Sequence, residues 1–167
     1  KEQIADYLNS TGIYSTVRHP LYFGNYLIWT GIAIFTYNIY FIVIMSLLFW
    51  IYYQRIMFAE ERFLERKFGE EYINWSKGVP SFCPSCKNYI KTMIPFSVKS
   101  ILRREYAGVL ATVIGFVFVE VVREFFKDGF FSIDLFYRNV LIATILVVLF
   151  LRSLKHHTII LEEKDRS

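Results

Sequence analysis

From Pro20 to Gln54 the chain runs for 35 residues without one charged side chain. A soluble fold of ordinary size has no use for such a stretch, whereas the interior of a bilayer demands it. The run is also too long for one crossing. At about 1.5 Å per residue it would extend about 52 Å as a helix, against a hydrocarbon core of about 30 Å. Thr36-Tyr37-Asn38 is the natural break, polar and aromatic as an interfacial turn should be. The pattern predicts a helical hairpin, Leu21 to Phe35 going out and Ile39 to Tyr53 returning. Pro20 suits the first helical turn, where its missing N–H costs nothing.

Composition agrees. Of 167 residues, 54% are hydrophobic and 20% charged, with a mean hydropathy of +0.35; a soluble domain carries about a quarter charged residues. The net charge of +4 is small and gives no reason to expect nucleic acid. Cys83 and Cys86 form a lone Cys-x-x-Cys. A zinc site needs about four ligands, and the remaining soft candidates, His156 and His157, are far away in sequence. The pair reads as free thiols in a loop, and no metal is expected. The chain begins at Lys1 without a signal-peptide pattern.

The returning helix continues into an amphipathic stretch, Arg55 to Phe68, that leaves the membrane, with Gly69 fitting its C-terminal end. Residues 70 to 100 carry Gly78, Pro80, Pro84 and Pro95 and read as an irregular interfacial connector. Two more apolar segments follow, Tyr106 to Val122 and Asn139 to Leu151, then a polar tail from Lys155. The expected fold class is all-α: a multi-pass transmembrane helical protein with about four spans. Residues 1–94 would form a core and residues 95–167 would add two helices, most simply as an anchor. Ten Lys and Arg lie between Arg55 and Arg104, and Arg152, Lys155, Lys164 and Arg166 follow the last apolar segment. The positive-inside rule places these regions, and the first twenty residues, in the cytoplasm.

Two stretches carry chemistry. One is Gly12-Ile13-Tyr14-Ser15-Thr16-Val17-Arg18-His19-Pro20-Leu21-Tyr22-Phe23-Gly24; the other is Glu60-Glu61, then Phe68-Gly69-Glu70-Glu71-Tyr72 and Val79-Pro80. A hairpin starts and ends on one membrane face, so topology alone brings them together. Glu60 has Ile56, Met57, Phe63 and Leu64 at helical spacing, all apolar. A carboxylate on that face is costly unless something satisfies it. The candidates are a ligand that offers hydroxyls or positive charge, or a structural pairing with Arg18 or Arg55. His19 alone would be a helix-entry residue, and Tyr14 and Tyr22 ordinary interfacial aromatics. Their rings would equally attract a sulfonium cation.

The order Gly-x-Tyr-x-x-x-Arg-His-Pro-x-Tyr-x-Gly, apolar hairpin, Glu-Glu, Phe-Gly-x-x-Tyr and Val-Pro resembles the isoprenylcysteine carboxyl methyltransferase family. Parts of it are shared with phospholipid N-methyltransferases. The resemblance covers about residues 8 to 84. It implies an integral membrane enzyme that uses S-adenosylmethionine, with the cofactor arriving from the cytosol and a lipid or isoprenoid acceptor from the bilayer. Carried over by position, Tyr14, His19, Pro20, Leu21, Tyr22 and Glu60 line the cofactor pocket. The family's arginine near the acceptor carboxylate corresponds to Arg55, offset by one position. The family's helices upstream of the motif are absent from this chain, and two spans are added after Pro84.

A carboxylate acceptor needs no general base, whereas an amine acceptor does; Glu61 or His19 could fill that role. The rivals are an amine-methylating phospholipid enzyme and a non-enzymatic membrane scaffold or transporter subunit that keeps the fold. Glu120, inside the third apolar segment, could mark an ion path. It lies three residues from Arg123, so an ion pair is the simpler account.

Overall fold

A computed structural model describes residues 7–93 and 96–157. Those residues are all-helical and contain no strand: α1 (Pro20–Ile34), α2 (Ile39–Phe68), α3 (Glu70–Gly78), α4 (Val98–Asp128) and α5 (Leu135–His157), with two short 3-10 turns at Gly12–Ser15 and Cys86–Asn88. The chain divides into two compact units, one holding residues 1–33 and 38–94, the other 34–37 and 95–167.

In the first unit the charge-free run breaks where the sequence expects. Helix α1 ends at Ile34, and Asn38 starts α2 by accepting the Phe41 N–H on its side-chain oxygen at 3.1 Å. Helix α2 does not stop where its charges begin. It continues from the apolar stretch through Arg55 and both glutamates for 30 residues, about 45 Å. The membrane segment and the amphipathic segment are therefore one rod, which carries Glu60 and Glu61 rigidly beyond the apolar part. Gly69 ends it, with φ +54 and ψ −128, a backbone region that is essentially glycine-only. The chain re-enters a helix at once as α3, whose first turn holds Glu70 and Glu71, favourable beside the N-terminal dipole.

Large side chains join α1 to α2. Tyr26 donates to Ser46 Oγ at 3.1 Å, and the ring pairs Tyr22–Tyr53 and Tyr26–Phe49 each lie 5.2 Å apart. Phe82, from the connector, wedges between the helices, edge-on to Phe23 and Tyr26 on one side and to Trp50 on the other, at 5.6 to 5.8 Å. The connector is thus a packed part of the first unit, tied into the hairpin by one ring.

In the second unit α4 and α5 form an antiparallel pair. Gly129, at φ +78, turns the chain after α4 and donates to the Phe125 carbonyl at 2.9 Å. Asp134 opens α5 by accepting the Phe136 N–H at 2.8 Å. Glu120 is buried, and Arg123 Nη2 meets it at 2.6 Å. The Arg123 guanidinium also lies over the rings of Phe35 and Tyr37. The ion-pair account of Glu120 fits this geometry.

Two helices, α2 and α5, are long and apolar enough to cross a membrane, and only 11% and 6% of their apolar stretches are buried. The core helix of a soluble protein would be mostly covered. Here Leu47, Leu48 and Ile51 on α2 and Leu146, Leu149 and Phe150 on α5 are more than half exposed. Exposed apolar surface of this extent belongs against lipid. Helix α1, at 15 residues, extends about 22 Å, and α4 carries Glu120 within its apolar part.

Candidate active site

The site is assembled from three pieces of the first unit: the segment before α1, the charged turn of α2, and the connector after α3. The segment before α1 has little regular structure of its own, so its polar backbone atoms must find partners elsewhere. The connector supplies them. Arg18 N–H donates to the Pro80 carbonyl at 2.9 Å and His19 N–H to the Ser81 carbonyl at 3.2 Å. Ser85 N–H donates to the Thr16 carbonyl at 2.9 Å, and Gly12 N–H to the Ile90 carbonyl at 2.8 Å. Ser15 Oγ accepts the Ile90 N–H and donates to the Gly12 carbonyl. Beneath this lacing, Val17 is fully buried, beside the largely buried Thr16, Tyr72 and Val79. Gly12 holds φ +62, and a β-carbon there would stand 3.3 Å from Thr92 Cβ.

This frame presents His19 at the start of α1, its ring 5% exposed. Each ring nitrogen faces a carboxylate from α2: Nε2 is 3.0 Å from Glu61 Oε1 and Nδ1 is 3.4 Å from Glu60 Oε2. A neutral imidazole has one N–H and can serve one of them; the doubly protonated ring serves both. Arg18 Nη1 also reaches Glu61 Oε1, at 3.0 Å. Tyr22, one turn into α1, donates to Glu60 Oε2 at 3.0 Å, and its ring stacks on His19 at 5.5 Å.

The two glutamates are therefore satisfied from across the hairpin. Arg18, not Arg55, makes the pairing. Glu60, beyond the apolar part of α2, is held below the usual carboxylate range because the His19 hydrogen bond outweighs burial, with Tyr22 adding to it. Burial and the nearby Glu60 charge push the Tyr14 hydroxyl up. Burial and Glu61 do the same to Tyr72.

Of the residues singled out in the sequence, Tyr14, His19, Tyr22, Glu60 and Glu61 come together around this cluster. Pro20 opens α1 beside them. Leu21 is 67% exposed. Arg55 is exposed on α2 and makes no ion pair among the described residues. Cys83 and Cys86 are free and exposed. Sequence reasoning missed Tyr53, whose ring backs Tyr22, along with the Ser81 carbonyl and Phe82. The aromatic cluster ending the apolar run could have pointed to Tyr53; nothing local marks Ser81 or Phe82.

A buried histidine between paired glutamates, closed by an arginine and a tyrosine from the same short segment, is an arrangement built from the Arg-His-Pro-x-Tyr and Glu-Glu motifs. Residues 2–71 match the phospholipid methyltransferase family. Over 77 residues the chain is 34% identical to the protein-S-isoprenylcysteine O-methyltransferase of Schizosaccharomyces pombe, covering 46% of this chain and 33% of that protein. It is 31% identical over 78 residues to protein-S-isoprenylcysteine O-methyltransferase B of Arabidopsis thaliana, covering 46% and 39%. The nickel-cobalt-cadmium resistance protein NccN of Alcaligenes xylosoxydans xylosoxydans is also similar, 34% identical over 77 residues, covering 46% and 36%. No solved structure matches. The chain spans 33% to 39% of the length of these relatives, and residues 2–71, which match the family, contain His19, Glu60 and Glu61. The family resemblance read from the motifs is borne out.

Proposed function

We propose that this chain is the core of a multi-pass membrane methyltransferase that uses S-adenosylmethionine and methylates a lipid-like or isoprenoid carboxylate. The observation that carries the reading is the meeting of Glu60 with His19 and Tyr22. The cluster engages Oε2 of Glu60, and Oε1 remains as an acceptor for a ligand's hydroxyl or ammonium groups. Tyr22 holds that carboxylate and Tyr14 is near enough to feel its charge; such rings suit a sulfonium cation, which is attracted both to ring faces and to negative charge. The residues present thus fit the cofactor. When bound, it supplies an electrophilic methyl group.

Each residue then has a task. Glu60 binds and orients the donor, with Tyr22 and His19 fixing its rotamer. Pro20 and Leu21 complete the segment along which the donor lies. Glu61, with Oε1 occupied by Arg18 and His19, positions the histidine and keeps the start of α1 on α2. That gives Glu61 a positioning task toward Arg18 and His19 rather than the task of a base for an amine. That favours a carboxylate acceptor, which is already ionised at neutral pH and needs no base. Arg55, exposed and without an ion pair among the described residues, is the cation we assign to the acceptor's carboxylate. It sits where the apolar part of α2 gives way to the charged part, the level at which a bilayer-borne acid would present its head.

In this reading all four long apolar segments cross the membrane, α1 and α4 with help from their neighbours. The basic residues between Arg55 and Arg104 support a site on the cytoplasmic face. Protein-S-isoprenylcysteine O-methyltransferases are the relatives whose names fit this site; a phospholipid amine or a non-enzymatic scaffold are the competing readings.

Calorimetric titration of S-adenosylmethionine into the detergent-purified chain, wild type beside Glu60→Ala, tests the proposal. Saturable binding lost in the variant is expected, followed by transfer of radiolabelled methyl into base-labile ester in lipid extracts. Label in base-stable amine products would shift the assignment to phospholipid amines. A folded wild-type protein that does not bind would leave the scaffold.

A further inference from the structure

The acceptor's hydrocarbon needs a place on the hairpin, and a groove between α1 and α2 offers one. It has a volume of about 370 Å³ and is lined chiefly by Trp29 of α1 with Phe41, Ile44, Leu48, Tyr52 and Tyr53 of α2. Trp29, Ile44, Leu48 and Tyr52 are each more than half exposed, so the groove opens sideways, toward lipid in the membrane reading. From Phe41 to Tyr52 it follows α2 for about 16 Å. That is about half of a hydrocarbon core of about 30 Å, the reach of one lipid tail.

Two relations tie this groove to the site. Arg55 follows Leu48 by seven residues and Ile44 by eleven, about two and three turns of α2, so it stands on the helix face that lines the groove. It is one turn beyond Tyr52, at the groove's charged end. Tyr53 makes the second link. Its ring lies 5.2 Å from that of Tyr22, and Tyr22 holds Glu60 at 3.0 Å. An apolar trough about one tail long, with a cation above it, complements an acid that carries one hydrocarbon tail. A diacyl phospholipid would bring a second tail, and an ammonium head would meet the like charge of Arg55.

We infer that the acceptor is an acid with one hydrocarbon tail, which lies along Ile44 and Leu48 while the carboxylate meets Arg55. The inference rests on the donor reading at Glu60 and narrows its acceptor from lipid-like acids in general to those with a single tail. Methyl transfer to such an acid forms one O–C bond and breaks one S–C bond. The electron pair stays on sulfur, which becomes a neutral thioether, and no proton moves.

Scintillation proximity with tritiated hexadecanoic acid and the full chain in neutral detergent, before any donor is added, tests this. Unlabelled hexadecanoic acid should displace the label at least about five-fold better than methyl hexadecanoate, which lacks the charge; this is the scale of one basic contact at a membrane surface. Octanoic acid, which leaves half of the groove empty, should also compete at least about five-fold more weakly. Arg55→Gln should remove the preference for acid over ester, and Arg55→Lys should keep it. Ile44→Phe with Leu48→Phe, which fills the groove below Arg55, should lose binding while the helical circular dichroism and the calorimetric titration of S-adenosylmethionine stay unchanged. Equal competition by acid and ester would overturn the proposal, as would binding that survives with the groove filled. Absence of acid binding beside intact donor binding would overturn the groove alone and keep the reading of Glu60. Acid binding in a chain that does not take up S-adenosylmethionine would overturn the groove's role as an acceptor site together with that reading.

Discussion

His19 Nε2 and Glu61 Oε1 lie 3.0 Å apart although 42 residues separate them in sequence. The contact closes the hairpin at its charged end, and Arg18 reaches the same oxygen at 3.0 Å. One carboxylate oxygen thus gathers two cationic-type donors from the segment before α1. In the proposed reading Glu61 is a positioning residue, whose removal disturbs the histidine before it disturbs the ligand.

Glu61→Gln keeps the shape and removes the charge. It leaves Arg18, about one-fifth exposed, without its anion. The expected cost is about 1–3 kcal/mol, read as a lower melting temperature in detergent. Donor binding should weaken without vanishing, in contrast with Glu60→Ala. Unchanged melting would show that the Arg18 pair is dispensable.

Glu60 makes stability depend on acid. Its folded pKa lies below the ordinary value of 4.5, so the stabilisation is fully present above pH 4.5 and is lost as pH falls through the lowered folded value. Melting curves between pH 7 and 3.5 should show this loss, and His19→Gln should flatten it, because the histidine hydrogen bond is the main cause of the shift. Parallel curves for wild type and variant would refute the assignment. At the alkaline side the raised Tyr14 and Tyr72 act oppositely: their contribution is whole below pH 10 and fades as pH rises through their folded values.

Phe82 joins the connector to the hairpin through three ring contacts. Its side chain is only partly buried, so Phe82→Ala should cost less than a core phenylalanine, about 2 kcal/mol. Limited proteolysis should then cut the connector near Pro80 to Pro84 faster than in the wild type. Phe82→Leu should recover most of the protection. An unaltered cleavage rate in the alanine variant would mean that the backbone lacing alone holds the connector.

Gly12 combines a positive φ with a close neighbour, Thr92. Gly12→Ala meets both obstacles, left-handed backbone at about 1 kcal/mol and a contact that Thr92 must yield to. The variant should lose about 1–2 kcal/mol, and the additional change Thr92→Gly, which removes the β-carbon that stands closest, should recover the steric part. A variant as stable as the wild type would show that the segment relaxes freely.

What the sequence by itself determined is the set of features that depend on local pattern. The 35 uncharged residues point to a bilayer, because a charge-free run of that length is what the hydrocarbon interior demands. The polar Thr36-Tyr37-Asn38 break forces a return, and a return brings the two motifs to one face. The apolar neighbours of Glu60 at helical spacing already said that its partner must come from elsewhere. The tertiary structure decided which partner. Arg18 and Arg55 were equally eligible by charge; Arg18 makes the pairing because the Pro80 carbonyl holds its N–H, and the Ser81 carbonyl that of His19, on the connector beside Glu61, whereas Arg55 lies exposed on the rod. The continuity of α2 through its charged half was legible in the sequence, but the wedge formed by Phe82 and the exposure of Leu21 were hidden. Each depends on which surface meets which across dozens of residues, and no periodicity within a single segment carries that information.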